Sequence, residues 1–142
     1  MKPNRFWRVA LPIAIALWTA FVWSRSLMSA EESAADSSWV AALIMRLFGL
    51  EAQPDWLIFA IRKTAHFAEF AILGLLWGGC SRTHGRRLWP WGLVVGAIDE
   101  CLQFLSPGRA PMLMDVGIDT AGFLCGVAVV WLFVRLRSKK IK

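Results

Sequence analysis

The sequence predicts an all-α, polytopic membrane protein, and its composition and hydropathy pattern lead to this class. Of 142 residues, 57% are hydrophobic, and nine Trp and nine Phe contribute large apolar side chains. One soluble domain of this size has too little interior to bury so much apolar surface. A window of about 19 residues finds four apolar stretches, each near the roughly 17 to 25 residues that span a bilayer. We therefore expect one domain over 1–142, in which four transmembrane helices form a compact bundle.

The four predicted spans are approximately 6–24, 64–80, 88–106 and 115–134. The first resembles a secretory signal, but its apolar run is longer than a signal core, and Met28 would occupy a position that requires a small residue. We interpret it as a retained transmembrane helix. The segment that follows is rich in Ser, Ala and acidic residues, and it becomes amphipathic at 38–50, as an interfacial helix would be. An additional helix on the membrane surface is therefore expected.

The distribution of basic residues predicts the orientation. Segments 1–8, 81–87 and 135–142 contain eleven of the sixteen Lys and Arg and none of the ten acidic residues. With four spans these segments share one side, which the positive-inside rule assigns to the cytoplasm. We expect both termini in the cytoplasm and the protein in the cytoplasmic (inner) cell membrane. The net charge of +6 is then a topology signal. Because no soluble basic module with base-stacking aromatics is present, nucleic acid is excluded as a partner.

Polar residues occupy one side of three predicted spans. On each of these helices their spacing places them within about 120° of the circumference. Counted from the predicted outer ends, Glu69, Asp99 and Asp119 share a layer about 9 to 11 Å into the membrane. Together with Arg109 in the following turn, the predicted polar intramembrane site comprises Lys63, His66, Glu69, Asp99, Glu100, Gln103, Arg109, Asp115 and Asp119.

Glycine pairs spaced four residues apart occur near these polar sides. Such small-xxx-small pairs let helix backbones approach closely within membranes. Because each pair lies near the polar stripe of its helix, the charged side chains are predicted to face the interior of the bundle. The predicted helix-packing residues are Gly74, Gly78, Gly92, Gly96, Gly122 and Gly126.

The predicted site is not neutral. Its five carboxylates face two cations, Lys63 and Arg109, if His66 is neutral. The excess is met by protonation of carboxyl groups or of His66, by Arg62, or by a bound cation. Magnesium or calcium suits oxygen ligands, whereas zinc favours more than one histidine, and the other histidine, His84, is predicted on the opposite side of the membrane. The sequence therefore leaves a divalent cation open and establishes no cofactor.

Buried ion pairs offer a purely structural alternative. Lys63 with Asp115, or Arg109 with Glu100, would lock the helices together without a ligand. Individual residues of the site also have simpler roles, since Asp115 can cap the fourth span.

Three segments resemble the VanZ-like family of small membrane proteins. They are RKTAHFAEFAILGLL at 62–76, DECLQFLSPGR at 99–109 and DVGIDTAGFLCG at 115–126. The sequence departs from the family in having Phe70 where Tyr is frequent and Asp119 where Asn is frequent, which adds one acid. The family is named for an accessory teicoplanin-resistance protein of Gram-positive bacteria. The resemblance implies a role in the cell envelope, but it supplies no reaction.

Two functional classes follow for this site. In the first, an outward-facing pocket binds an anionic envelope lipid or glycopeptide-like ligand through Lys63 and Arg109, and contributes to glycopeptide resistance. In the second, an intramembrane hydrolase or transferase acts on a lipid head group, with Glu69 or Asp99 as base and His66 as proton carrier. The sequence contains no recognisable catalytic motif, which favours binding. A proton-coupled carrier is disfavoured by four spans without an internal repeat.

Overall fold

The computed structural model describes residues 5–50, 54–109 and 112–139. Within them the chain forms five α-helices and no strand, which confirms the all-α prediction. They are α1 Arg5–Ser26, α2 Ala30–Phe48, α3 Asp55–His84, α4 Pro90–Phe104 and α5 Leu113–Lys139.

Two of these helices are long and apolar enough to cross a membrane. They are α1 over Arg5–Ser26 and α5 over Leu113–Ser138. The 30-residue α3 is long enough but includes Arg62, Lys63 and Glu69. The 15 residues of α4 span only about 22 Å, against a hydrocarbon core of roughly 30 Å. The structure thus shows a helical protein with two candidate membrane helices, and the prediction of four spans remains a prediction.

Polar side chains occupy the interior, and large apolar side chains occupy the surface. Among the described residues, the buried set contains ten polar or charged side chains and eight hydrophobic ones. On the outer surface of α5, Trp131, Leu132 and Phe133 are each more than half exposed. A water-soluble domain has the opposite distribution, since it buries its large apolar side chains first. This surface fits contact with lipid acyl chains.

The closest helix pair is α3 with α5, whose backbones touch. A Cβ atom added at Gly74 or Gly126 would lie 2.0 or 2.1 Å from a carbonyl oxygen of the opposite helix. At Gly122 the corresponding distance is 2.3 Å. Because a side chain at any of these positions would push the helices apart, glycine permits the contact. This contact fixes the register that brings the polar residues of the two helices together.

Other glycines of the predicted set receive side chains instead of backbone. An added Cβ at Gly92 would lie 2.1 Å from the Phe123 ring, and one at Gly96 would lie 3.2 Å from the Phe70 ring. Gly78 faces Val130 in the same way. Through these contacts α4 packs onto α3 and α5. The small apolar core that results consists of Val22, Phe70, Leu73 and Phe123.

Helix α2 begins eight residues before the predicted amphipathic segment at 38–50. The reason is a capping box, in which the Glu32 N–H donates to Ser29 Oγ at 3.2 Å and the Ser29 N–H donates to the Glu32 carboxylate at 2.8 Å. These hydrogen bonds lower the pKa of the Glu32 carboxyl group below its ordinary value. They satisfy backbone donors that the helix itself cannot, so the polar stretch from Ala30 onward is helical.

Candidate functional site

Two pairs of side chains join α3 to α5. Lys63 Nζ forms an ion pair with Asp115, and His66 Nδ1 lies 3.3 Å from Asp119 Oδ1. The second contact is too poorly aligned for a hydrogen bond, although it becomes an ion pair when His66 is protonated. Because Lys63 and His66 are three residues apart and their partners four, the pairs stack along one side of each helix. The glycine-mediated contact of α3 and α5 therefore aligns both pairs.

Helix α4 contributes three buried polar side chains from one of its faces. Asp99 accepts hydrogen bonds from Ser26 Oγ at 2.6 Å and from Gln103 Nε2 at 3.3 Å. Gln103 Nε2 also donates to Glu100 Oε1 at 3.4 Å. Ser26 is the last residue of α1. Asp99 is thus held in place by neutral donors from two helices.

His66, Asp99 and Asp119 come together at the centre of the site, and we call them the central cluster. One nitrogen or oxygen atom from each lies within 4.8 Å of the others. Both carboxylate oxygens of Asp119 are buried and have no hydrogen-bond partner among the described residues. Within the same part of the chain, Glu100 Oε2 is also buried without a partner. Acceptors of high negative charge density therefore remain unsatisfied in the interior.

The carboxylate of Glu69 contacts Arg25 at the end of α1. Its carboxylate lies 4.0 Å from Nε of Arg25, which also forms an ion pair with Asp36 on α2. The backbone carbonyl of Glu69 accepts a hydrogen bond from Trp18 Nε1 at 2.9 Å. Glu69 is therefore part of the contact between α1 and α3.

Arg109 does not form the ion pair with Glu100 that the structural alternative offered. No carboxylate in the described residues lies within ion-pair distance of Arg109, and its buried Nε has no hydrogen-bond partner there. Gly108 precedes it at φ +72°, in a turn beyond the end of α4. This turn directs the Arg109 side chain toward Arg62 instead. Burial, together with the positive charge of Arg62, lowers the pKa of the Arg109 guanidinium group.

Arg62 and Arg109 together line two cavities. The smaller has a volume of about 30 Å³, enough for roughly one or two water molecules. The larger is a groove of about 220 Å³, which we call the arginine groove. Residues lining the small cavity are Arg25, Ser26, Ser33, Ser37, Arg62, Ala65, His66, Glu69 and Arg109. Residues lining the arginine groove are Ala30, Phe59, Arg62, Lys63, Gln103, Gly108, Arg109, Met112 and Asp115.

Sequence reasoning missed the contribution of α1 and α2 to this region. Arg25 and Ser26 close α1, and Ser33 and Ser37 form part of the buried face of α2. The spacing of the two serines, one helical turn apart, was a usable signal once α2 was known to begin at Ala30. Arg62 entered the sequence analysis only as a counter-charge, whereas it lines both cavities.

The fold and the site define a class, namely a helical membrane protein with an apolar exterior and a cluster of buried ionisable residues where its helices meet. Comparison of the sequence with protein families gives the particular family. The family model VanZ/LLP1 matches residues 11–134, so the chain belongs to the VanZ-like family. The matched range contains the central cluster and the arginine groove. No curated protein and no solved structure matches the chain.

Proposed function

We propose that this protein spans the cytoplasmic membrane and binds the anionic head of an envelope lipid, or the anionic part of a glycopeptide-like ligand, in the arginine groove. The observation that carries the proposal is the Nε atom of Arg109, a buried donor without a partner in the described chain, beside Arg62 and Lys63. A buried guanidinium donor without an acceptor is costly, and an anion bound in the groove would satisfy it.

The charge of the groove supports an anionic ligand. Lys63 is offset by Asp115, whereas no carboxylate of the described residues lies within ion-pair distance of Arg62 or Arg109. Each guanidinium group carries a pair of parallel N–H donors that matches two oxygens of a phosphate or carboxylate group. A volume of about 220 Å³ accommodates a phosphate-sized group rather than water alone. The groove therefore matches its ligand in both charge and size.

Apolar side chains around the groove support a lipid as the source of that anion. Phe59 and Met112 line the groove and are about half exposed. Leu105 and Leu113, at the adjacent ends of α4 and α5, are 71% and 92% exposed. A head group in the groove would place its acyl or isoprenoid chains along this surface, where apolar contact stabilises them.

In this proposal all four of α1, α3, α4 and α5 cross the membrane, and α2 lies at the outer interface. The basic segment 81–87, and Arg135 and Arg137 near the end of α5, lie at the opposite ends of the helices from the groove. The positive-inside rule then places the groove at the outer side. There the groove would meet envelope lipids and glycopeptide-like molecules. By binding one of them, the protein would contribute to glycopeptide (teicoplanin) resistance.

Native mass spectrometry in mild detergent tests the proposal. We expect the wild-type protein to retain an anionic phospholipid such as phosphatidylglycerol, and the R62Q/R109Q variant to lose it. Removing charge-assisted hydrogen bonds worth about 1.5 to 3 kcal/mol each weakens binding by about 10- to 100-fold per arginine. The matched control is R46Q, because Arg46 is an exposed arginine at the end of α2.

The same preparations distinguish the outcomes. Titration with phosphatidylglycerol and with zwitterionic phosphatidylcholine in nanodiscs should show a preference for the anionic lipid in the wild type and in R46Q only. Equal retention of phosphatidylglycerol by R62Q/R109Q and R46Q would contradict the assignment of the groove.

A further inference from the structure

The central cluster has the donor set and the spacing of a metal site. It combines one imidazole with two carboxylates, contributed by α3, α4 and α5. Because the three nearest atoms lie within 4.8 Å of one another, a central ion would lie no more than about 2.8 Å from each. Small side-chain rotations then reach the roughly 2.0 to 2.2 Å typical of metal–nitrogen and metal–oxygen bonds.

Unsatisfied atoms within the cluster point to a ligand independently of that spacing. Asp119 is only 2% exposed, and neither of its carboxylate oxygens accepts a hydrogen bond from the described residues. Asp99, in contrast, is fixed by Ser26 and Gln103. A buried carboxylate without donors carries a large desolvation cost. A cation at the centre of the cluster would supply the contacts that the two oxygens of Asp119 lack.

The charges around the cluster lead to the same conclusion. Lys63 is committed to Asp115, and Arg25 to Asp36 and Glu69. Three carboxyl groups then remain, those of Asp99, Glu100 and Asp119. Among the described residues, the basic group that lies nearest to them is the His66 imidazole. A divalent ion would offset two negative charges at the point where they converge.

We propose that His66, Asp99 and Asp119 bind a divalent metal ion, either Mn²⁺ or Zn²⁺. Imidazole suits zinc and other later transition metals, carboxylates suit manganese, and these two ions accept the mixed set more readily than magnesium or calcium. The hydrogen bonds from Ser26 and Gln103 to Asp99 would orient that ligand, as outer-sphere partners do in metal sites. None of the three ligands lines the arginine groove, although Gln103 does, so variants of His66 and Asp119 test the metal site separately from lipid binding.

The test loads the purified full chain with Mn²⁺ alone. Protein carrying an affinity tag without histidine is stripped with EDTA, dialysed and titrated with Mn²⁺, and free ion is followed by electron paramagnetic resonance. We expect one ion per chain in the wild type, and a Kd raised by more than about 100-fold in H66A or D119N. Gln103→Ala, which acts through Asp99, should raise the Kd by about 10- to 100-fold.

Two control variants and one independent readout complete the experiment. H84A and E31Q should bind Mn²⁺ like the wild type, because His84 and the exposed Glu31 of α2 lie outside the cluster and line neither of the two cavities. Mn²⁺ or Zn²⁺ should also raise the Tm of stripped wild-type protein, a measurement that needs no variant and holds even where D119N fails to fold. Absence of stoichiometric binding by the stripped wild type, or equal binding by H66A and H84A, would overturn the proposal.

Discussion

Lys63 and Asp115 are the clearest example of how a single pair of residues holds two helices in register. Their side chains are 15% and 6% exposed, so both charges lie largely outside water. Breaking such a pair from one side leaves the other charge uncompensated, at a cost of about 3 to 5 kcal/mol. We therefore expect K63M and D115L each to lower the free energy of unfolding by this amount in detergent.

The double variant K63M/D115L provides the control. Replacing both partners with apolar groups of similar size removes the desolvation cost together with the attraction, so its loss should be well below the sum of the two single losses. Denaturant unfolding followed by far-ultraviolet circular dichroism measures all four proteins. Strictly additive losses would mean that the two residues do not interact in the folded protein.

Other contacts at this scale show what the sequence could and could not provide. Helical spacing placed Asp99 and Asp119 in one predicted layer, and in the structure they lie within one cluster. Of the two ion pairs that the structural alternative offered, Lys63 with Asp115 forms, whereas Arg109 does not reach Glu100, because it follows the left-handed turn at Gly108 beyond the end of α4. Arg25 gave no signal, since its partners Asp36 and Glu69 belong to other helices.

At the scale of elements, the contact between α3 and α5 depends on glycine at particular positions. A Cβ at Gly126 would lie 2.1 Å from a carbonyl oxygen of α3, whereas a Cβ at Gly117, nine residues earlier on the same helix, would meet no atom within 4 Å. Replacing backbone contact with a clash in a packed interior costs about 1 to 3 kcal/mol or more. We expect G126A to lower the Tm in detergent and to weaken the alignment of Lys63 with Asp115.

The matched variant G117A makes this comparison specific. Alanine stabilises a helix interior by up to about 1 kcal/mol relative to glycine, so G117A should leave the Tm unchanged or slightly raised. Thermal unfolding of both variants in the same detergent measures the difference. A similar Tm for G126A and G117A would show that the close approach of the two helices is not required for stability.

The ends of the helices were harder to predict than their existence. Hydropathy windows locate segments that favour lipid, but they do not detect the hydrogen bonds that begin or end a helix. The capping box of Ser29 and Glu32 therefore extended α2 toward the N-terminus of the predicted segment. Conversely, α4 is shorter than the predicted span 88–106, because it begins at Pro90 and ends before the turn that contains Gly108.

The whole molecule combines an exterior that fits lipid with an interior that holds charge. The sequence predicted both properties, since the four apolar stretches favour lipid, and the acidic residues within those stretches must then face the interior of the bundle. The number of membrane crossings follows less directly from the sequence. Among the described helices, only α1 and α5 are both long enough and apolar enough to cross a membrane. Helix α4 is too short, with 15 residues, and α3 contains Arg62, Lys63 and Glu69 within its apolar sequence.

Two topologies therefore make different predictions for the turn between α3 and α4. If α1, α3, α4 and α5 all cross, Arg86 lies in the cytoplasm. If α1 and α5 alone cross, Arg86 lies outside, although both ends of the chain remain inside. Leu50, between α2 and α3, lies outside in either case. Both residues are exposed, so a cysteine at either position is open to reagents.

We expect four crossings, and labelling with a membrane-impermeant maleimide tests this. The native residues Cys80, Cys101 and Cys125 are first replaced by alanine, and then L50C and R86C are introduced singly. In intact cells L50C should be labelled and R86C should not, whereas permeabilised cells should label both. Rapid labelling of R86C in intact cells would establish two crossings, and would place α3 and α4 on the outer surface. The proposal of four crossings would then fail, whereas Asp99 and Asp119 would stay buried, because α5 crosses in either topology and their burial comes from contacts within the protein.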